Sequence, residues 1–173
     1  MNKLIIVYLL IILSCKSTKE MAKNSELKIG DSIPSFTLQN QNGDNFSIDK
    51  IVGNKNIVIY FYPKDETTVC TKEACSFRDS YEDFKELGCE VIGISSDDVE
   101  SHKNFAENHN LPFILLSDVD KKVRKLFGVP NDMFGMLPGR YTYVINKKGK
   151  IILVFNSALN AQKHIDEALK ILK

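Results

Sequence analysis

The chain has 173 residues, of which 43% are hydrophobic and 26% charged, proportions typical of one globular domain with a substantial core. Lysine and arginine total 23 against 22 aspartate and glutamate residues, so the formal net charge is +1. This balance, without a basic run, argues against nucleic acid or an anionic membrane surface as an electrostatic partner.

The N-terminal segment differs in composition from the rest of the chain. A short cationic start is followed by an apolar run over residues 4–13, which is too short to span a bilayer but has the length of a signal-peptide core. Residues 12–15 resemble a bacterial lipobox, in which cleavage before the cysteine exposes it for lipid attachment. We therefore expect lipid at Cys15. A plain secretory signal, an uncleaved anchor and a fortuitous apolar start are the alternatives.

This interpretation divides the chain into a lipoprotein-type signal peptide at residues 1–14, a tether at residues 15–26 and one domain at residues 27–173. A lipid on Cys15 would attach the protein to a membrane without spanning it. We therefore expect a lipid-anchored location in a bacterial cell envelope, outside the cytoplasm.

Strands and helices are predicted to alternate along the domain. The prediction comprises a hairpin at 36–38 and 46–48 around Asn42-Gly43, a strand at 57–62, a helix at 68–87, a strand at 89–95, a helix at 99–109, a strand at 113–117, a helix at 120–127, a second hairpin at 141–145 and 150–155, and a helix at 161–172 capped by Asn160. This order indicates an α/β domain with a mixed central sheet flanked by helices, and it matches a thioredoxin-like fold with an added N-terminal hairpin.

Two cysteines, Cys70 and Cys75, lie near the start of the helix predicted at 68–87. Backbone N–H groups and the helix dipole favour a thiolate at such a position. Cys70 heads the apolar stripe of the helix and should be sheltered, whereas Cys75 projects from a wetter face. Their Cα atoms should be roughly 8–9 Å apart in an intact helix, beyond the 4.4–6.8 Å or so that a disulfide spans. A bond between them therefore requires local unwinding.

Three further side chains are candidates for the chemistry of Cys70. Thr67 precedes it by three residues, so its hydroxyl can point at the sulfur, and Pro63 fixes the loop and keeps water from one side. Rapid reaction with a peroxide needs donors where negative charge develops on the leaving oxygen. Arg140, before the strand at 141–145, offers such N–H groups, although spacing alone does not bring it near Cys70.

The pattern Pro-x-x-x-Thr-x-x-Cys, from Pro63 to Cys70, resembles the active-site motif of peroxiredoxins. The five-residue step to Cys75 resembles the bacterioferritin-comigratory, or peroxiredoxin Q, branch. Further similarity covers residues 77–88, 90–98, 115–118, 134–145 and 163–172. Two features depart from the family pattern: the usual Thr-Pro-Gly-Cys is Thr67-Thr68-Val69-Cys70 here, and the leader is atypical.

The resemblance implies a thiol-dependent peroxidase acting on hydrogen peroxide and organic hydroperoxides. Cys70 would attack the peroxide and become a sulfenic acid, and Cys75 would condense with it to a disulfide that a thioredoxin-like protein reduces. Thr67 and Arg140 would assist the thiolate and the transition state, and Pro63 would form the pocket wall. No metal, haem or flavin is implied, and we expect a monomer.

Other interpretations of these residues remain open. The cysteine pair could be a structural disulfide or half of a metal site, although the C-x4-C spacing is unlike that of zinc knuckles. Cys89 is expected in the core, and a role as an alternative resolving thiol is the other possibility. Residues 64–66 are expected in a solvated loop, or they could steer a donor protein. The histidines are expected at polar helix positions without a function; these are His102, His109 and His164.

Two other activities compete with the peroxidase. A membrane-tethered thiol–disulfide oxidoreductase acting on proteins would use C-x-x-C, which the chain lacks. A copper-delivery protein on the same fold would need C-x3-C and a distal histidine. Phe134, Met136 and Leu137 are expected in the core or lining the pocket.

Overall fold

The computed structural model describes residues 25–132 and 137–173. Its strands are β1 Thr37–Asn40, β2 Asn45–Ser47, β3 Asn56–Phe61, β4 Cys89–Ser95, β5 Ile114–Ser117, β6 Asn131–Asp132, β7 Leu137–Pro138, β8 Tyr141–Ile145 and β9 Ile151–Asn156. Its helices are α1 Thr68–Asp79, α2 Tyr81–Glu86, α3 Val99–His109, α4 Lys122–Phe127 and α5 Ala161–Leu172.

Seven of the strands form one mixed sheet, in the order β2-β1-β5-β4-β3-β8-β9. The interior strand β3 pairs in parallel with β4 and antiparallel with β8, while β1 and β2 form the N-terminal hairpin at one edge. The loop of that hairpin contains Gly43 with a positive φ of 83°, which glycine adopts without steric cost. The predicted thioredoxin-like α/β fold with an N-terminal hairpin is confirmed.

The sheet is covered on both faces, which explains the continuous apolar sequence of β3. Successive strand residues point to opposite faces. Val58 and Tyr60 join a core cluster with residues of α1, α2, α3 and α5, and Ile57 and Ile59 join a second cluster with residues of α4. The first cluster also contains Cys70, so the N-terminal end of α1 is built into this core.

Gly93 in β4 makes room for the aromatic side chain of Tyr60. A Cβ atom at Gly93 would lie 2.7 Å from the Cζ and hydroxyl atoms of Tyr60 and 2.8 Å from Cδ2 of Leu115. The Tyr60 ring in turn stacks on Phe77 of α1, with centroids 4.6 Å apart. The absence of a side chain in β4 therefore lets the sheet support the helix that carries the cysteines.

Two local features differ from the sequence prediction. The helix expected at 68–87 is two helices, because the chain turns at Ser80, whose φ and ψ of −103° and 10° are not helical. The short antiparallel pair β6–β7 was not predicted. Elsewhere β4, α3, β8 and α5 have the predicted bounds, and the side chain of Asn160 caps α5 by accepting a hydrogen bond from the Lys163 amide.

Candidate active site

Cys70 lies in the first turn of α1, immediately after the loop that leaves the carboxyl end of β3. Its side chain packs in the main core and is only 1% exposed. The helix starts here because Thr67 has extended backbone angles and its carbonyl accepts the Thr71 amide at 2.8 Å. Cys70 is therefore sheltered at a helix N-terminus, as the sequence indicated.

Arg140 reaches Cys70 from a segment 70 residues later in the chain. Because β8 runs antiparallel to β3, with Phe61 opposite Tyr141, the end of β3 and the start of β8 are adjacent. The guanidinium Nη2 of Arg140 donates to Sγ of Cys70 at 3.2 Å, and the side chain is almost fully buried. The structure thus brings together the two residues that sequence spacing could not connect.

Glu73 is the second anion at this guanidinium. Its Oε2 accepts a short hydrogen bond from Nη1 of Arg140, and both side chains are buried. Burial raises the pKa of Glu73 to about 7 although Arg140 opposes the shift. Burial alone would lower the pKa of Arg140, but the neighbouring Glu73 and Cys70 outweigh it and raise that pKa. The site is therefore one cation shared by two acidic groups.

His164 of α5 lies next to Glu73 and extends the buried network of polar side chains. Its Nε2 lies 3.0 Å from the Ser157 carbonyl and must carry the proton, so Nδ1 accepts from the Thr142 hydroxyl at 2.8 Å. Nδ1 also lies 3.5 Å from Oε1 of Glu73, an oxygen without a hydrogen bond among the described residues. Burial lowers the pKa of His164 to about 4, so the ring is neutral at pH 7. The prediction that His164 occupies a polar helix position is wrong, because its side chain is fully buried.

Cys75 lies further along α1 and is half-buried, with its sulfur, like those of Cys70 and Cys89, outside any disulfide. Arg78 is its neighbour on the helix. The hydrogen bond that Arg78 donates to Asp79 raises the pKa of that arginine, and the nearby Cys75 raises it further. Both cysteines thus belong to one intact helix, and their pairing needs the unwinding inferred from the sequence.

Thr67 and Pro63 lie in the loop before α1. The Thr67 hydroxyl donates to the Lys64 carbonyl at 3.0 Å, and among the described residues no hydrogen bond joins it to Cys70. Its side chain is exposed, and Pro63 is half-buried. The structure therefore places both residues beside the reactive turn, with Thr67 bracing the loop in this conformation.

The sequence suggested that the loop before α1 is solvated. The structure differs at Asp65, which is only 4% exposed. Its carboxylate accepts hydrogen bonds from Tyr62 at 2.7 Å and Ser101 at 2.8 Å, and it lies 2.8 Å from Nδ1 of His102. His102 is fully buried, with Nε2 3.2 Å from the Leu116 carbonyl, so its expected polar position is also wrong. These contacts fix the start of the loop to α3 and β5.

Glu73 and Arg124 support the site but were missed in the sequence. Arg124 donates from Nη2 to the carbonyls of Gly139 at 2.8 Å and Pro130 at 3.1 Å, which holds the segment before Arg140. The sequence signal that could have identified Glu73 is its position three residues after Cys70 on the same helix. The sequence held no comparable signal for Arg124, because the carbonyls that it binds lie in a distant loop.

Cys89 and the remaining sequence candidates lie away from this constellation. Cys89 is buried in β4, and burial raises its pKa to about 12, as suits an unreactive core thiol. Within residues 25–132 and 137–173 no group of three or more His, Cys, Asp or Glu side chains could hold a metal ion. The signal peptide, Cys15, most of the tether, Phe134 and Met136 lie outside the described residues, as does the side chain of Leu137.

Comparison with known proteins matches residues 29–154 to the AhpC/TSA family. The chloroplastic peroxiredoxin Q of Populus jackii is 57% identical over 144 residues, which cover 83% of this chain and 67% of that protein. The peroxidoxin BcpB structure from Mycobacterium tuberculosis is 36% identical, with a TM-score of 0.78 over 85% of this chain and 97% of that one. A Xanthomonas campestris bacterioferritin comigratory protein, whose structure was studied for its alkyl peroxide reduction activity, is 29% identical. Its TM-score is 0.72 over 79% of this chain and 89% of that one.

The expected location of the chain needs correction. We predicted a lipid-anchored protein of the bacterial cell envelope, but the similar curated proteins are chloroplastic peroxiredoxins Q of plants, so that prediction is wrong. No helix in the described part of the chain is long and apolar enough to cross a membrane.

The sequence motif, the thioredoxin-like sheet and the similarity to peroxiredoxins over most of the chain agree with one another. The predicted family and activity are confirmed. The chain belongs to the AhpC/TSA family, and it is a thiol-dependent peroxidase of the peroxiredoxin Q type.

Proposed function

We propose that Cys70 is the peroxidatic cysteine and that Arg140 is its main electrostatic partner. The observation that carries this proposal is the 3.2 Å contact between Nη2 of Arg140 and Sγ of Cys70 in a site closed to bulk water. A guanidinium at this distance stabilises an anionic sulfur, and it can also donate to an oxygen that gains negative charge beside the sulfur.

The first step breaks the O–O bond of the peroxide. The Cys70 thiolate attacks the terminal oxygen, forms an S–O bond and releases hydroxide or alkoxide, which takes up a proton and leaves as water or alcohol. Arg140 stabilises the negative charge as it moves from sulfur to the leaving oxygen. We expect both hydrogen peroxide and alkyl hydroperoxides to react, the latter in keeping with the alkyl peroxide reduction studied in the Xanthomonas relative.

Cys75 acts as the resolving cysteine. Its sulfur attacks the sulfenic sulfur of Cys70, the S–O bond breaks, a disulfide forms and water leaves. The intact helix separates the two Cα atoms by roughly 8–9 Å, so the first turns of α1 must unwind before this step. A thioredoxin-like dithiol protein then restores both thiols by exchange.

Thr67 and Pro63 have supporting roles in this proposal. Thr67 braces the loop through the Lys64 carbonyl, and rotation of its side chain would turn the hydroxyl towards Cys70. Pro63 lacks an N–H donor and has a fixed φ, so it keeps one wall of the pocket rigid.

Peroxide consumption by the reduced protein tests these assignments. Wild type should consume peroxide rapidly and end as an intramolecular disulfide, whereas Cys70→Ser should lose the rapid reaction. Cys75→Ser should consume one equivalent and stop at a sulfenic acid that dimedone traps. Rapid consumption by Cys70→Ser would refute the role of Cys70, and turnover of protein disulfides without peroxide would favour the thiol–disulfide oxidoreductase.

Two finer predictions concern features beyond the described site. We infer a monomer, because Cys70, Cys75 and Arg140 all come from one chain, and light scattering of the reduced protein tests this inference. Cleavage before Cys15 also remains a prediction, and mass spectrometry of the native N-terminus would show whether the cysteine begins the mature chain.

A further inference from the structure

Glu66 ties the loop before α1 to the C-terminal turn of α3. Its carboxylate accepts a hydrogen bond from Nδ2 of Asn108 at 2.9 Å and lies 3.0 Å from Nε2 of His109. Both contacts lower the pKa of Glu66, and the contact with His109 has a larger effect than the one with Asn108. The carboxylate is therefore ionised at neutral pH. The contact lies four residues before Cys70 and outside the network of Arg140.

The backbone of Glu66 is held in an unfavourable conformation. Its φ of 57° is in the left-handed region, which non-glycine residues seldom adopt. The neighbouring residues fix it on both sides: the Asp65 amide donates to Asp97 at 2.9 Å, and the Thr67 carbonyl accepts the Thr71 amide of α1. A strained residue persists where the surrounding contacts determine its geometry, and unwinding of the first turn of α1 removes one of those contacts.

The same end of α3 also touches the chain beyond Cys75. Nη1 of Arg78 donates to the main-chain carbonyl of His109 at 2.8 Å, so a carbonyl left unpaired at the helix end gains a donor. The last turn of α3 therefore contacts both flanks of the segment that carries Cys70 and Cys75. This arrangement ties the conformation of the redox segment to α3.

We propose that Glu66 is a positioning residue whose contact with Asn108 and His109 holds the loop and the first turn of α1 in the helical form, and so sets how readily the helix unwinds for disulfide formation. This inference rests on the proposed function of Cys70 and Cys75. In the helical form Cys70 faces Arg140 and reacts with peroxide; in the unwound form its sulfenic sulfur meets Cys75, and water leaves as the S–S bond forms. Glu66 favours the first form over the second.

The test separates the peroxide step from the resolving step. Quenched-flow alkylation with mass spectrometry would follow sulfenic acid formation and disulfide formation in wild type, Glu66→Gln and Asn108→Ala. Exposed side-chain contacts of this kind change an equilibrium by about two- to five-fold. We expect disulfide formation to accelerate by that factor in both variants, sulfinic acid at Cys70 under excess peroxide to decrease, and amide exchange over residues 68–76 of the dithiol form to accelerate.

Glu82→Gln is the matched control, because the carboxylate of Glu82 also binds a nearby side chain, that of Lys85, on an exposed surface but lies in α2, away from the redox loop. It should leave all three readouts at their wild-type values. Unchanged disulfide formation and exchange in Glu66→Gln and Asn108→Ala would overturn the role of Glu66, as would acceleration of exchange spread evenly over the chain. Failure of the proposed function is distinguishable, since Cys70→Ser would then keep the rapid peroxide reaction.

Discussion

Glu73 and Cys70, three residues apart on α1, bond the same guanidinium group. Arg140 uses Nη1 for the carboxylate and Nη2 for the sulfur, so the orientation of one contact fixes the other. When Glu73 is ionised, its carboxylate neutralises part of the charge that the sulfur would otherwise receive in full. The electrostatic field at Cys70 therefore depends on Glu73 as well as on Arg140.

Arg140→Lys should slow the peroxide step, because a lysine keeps the positive charge but cannot direct two N–H groups at two partners. Loss of one donor from developing charge typically costs about 10²- to 10³-fold in rate. The measurement is the second-order rate of peroxide consumption at pH 7. Arg124→Lys, at a cation that binds the carbonyls of Pro130 and Gly139 near Arg140, controls for loss of a guanidinium, and a smaller loss of rate is expected there. A rate in Arg140→Lys equal to that of wild type would contradict the role of the paired N–H groups.

Glu73 and His164 should give opposing pH dependences of stability. Between pH 4.5 and about 7 folded Glu73 holds a proton that the unfolded chain releases, so stability falls as the pH rises. Between about pH 4 and 6.5 the unfolded chain protonates His164 and the folded chain does not, so stability rises with pH. Each effect is on the order of 3 kcal/mol, and they nearly cancel between pH 4.5 and 6.5.

Glu73→Gln should remove this cancellation. Its free energy of unfolding, measured by urea titration, should rise from pH 4.5 to 6.5 more steeply than that of wild type, by up to about 1.4 kcal/mol per pH unit. His164→Asn should show the opposite difference. Parallel curves for wild type and Glu73→Gln would mean that Glu73 titrates near its ordinary range in the folded protein.

Asp65→Asn should destabilise the fold, because an amide keeps only one of the two carboxylate oxygens that contact Tyr62, Ser101 and His102. Leaving a buried hydrogen-bonding group without its partner typically costs about 1–3 kcal/mol. Denaturant unfolding at pH 7 measures it. Asp120→Asn, at an exposed pair with Lys122, is the control and should leave stability nearly unchanged. Equal effects in the two variants would show that the network of Asp65 contributes little.

Gly93→Ala should overpack the contact with Tyr60, where the added carbon would lie 2.7 Å from both Cζ and the hydroxyl oxygen of the tyrosine. Such overpacking typically costs about 1–3 kcal/mol. Tyr60→Phe alone should be neutral or stabilising, because the buried hydroxyl has no hydrogen-bond partner among the described residues. In the double variant, Tyr60→Phe should restore part of the stability that Gly93→Ala removes. Thermal unfolding of the four proteins measures the coupling, and purely additive effects would contradict the steric explanation.

The regular elements could be predicted from the sequence because local signals define them. β4, α3, β8 and α5 have uninterrupted apolar or amphipathic patterns, and Asn160 is a recognisable cap. The break at Ser80 could not be predicted, since an apolar stripe continues across it and only tertiary packing separates the two helices.

The candidate site was predictable in its residues but not in its contacts. The motif identified Cys70, Cys75 and Arg140, whereas the burial of Asp65 and His102 was missed because charged residues are ordinarily exposed. Their pairing spans 37 positions and depends on how α3 lies against the loop. Glu73 was missed for the same reason, since a carboxylate becomes a core residue only when its cation is placed beside it.

The antiparallel alignment of β3 and β8 has a consequence for the newly synthesised chain. Cys70 emerges from the ribosome long before Arg140, and the two meet only when β8 adds to the edge of β3. On the proposed role of Arg140, a nascent polypeptide without β8 carries its sulfur without the guanidinium that would stabilise charge during O–O cleavage. We therefore expect full reactivity of Cys70 towards peroxide only once the sheet is complete.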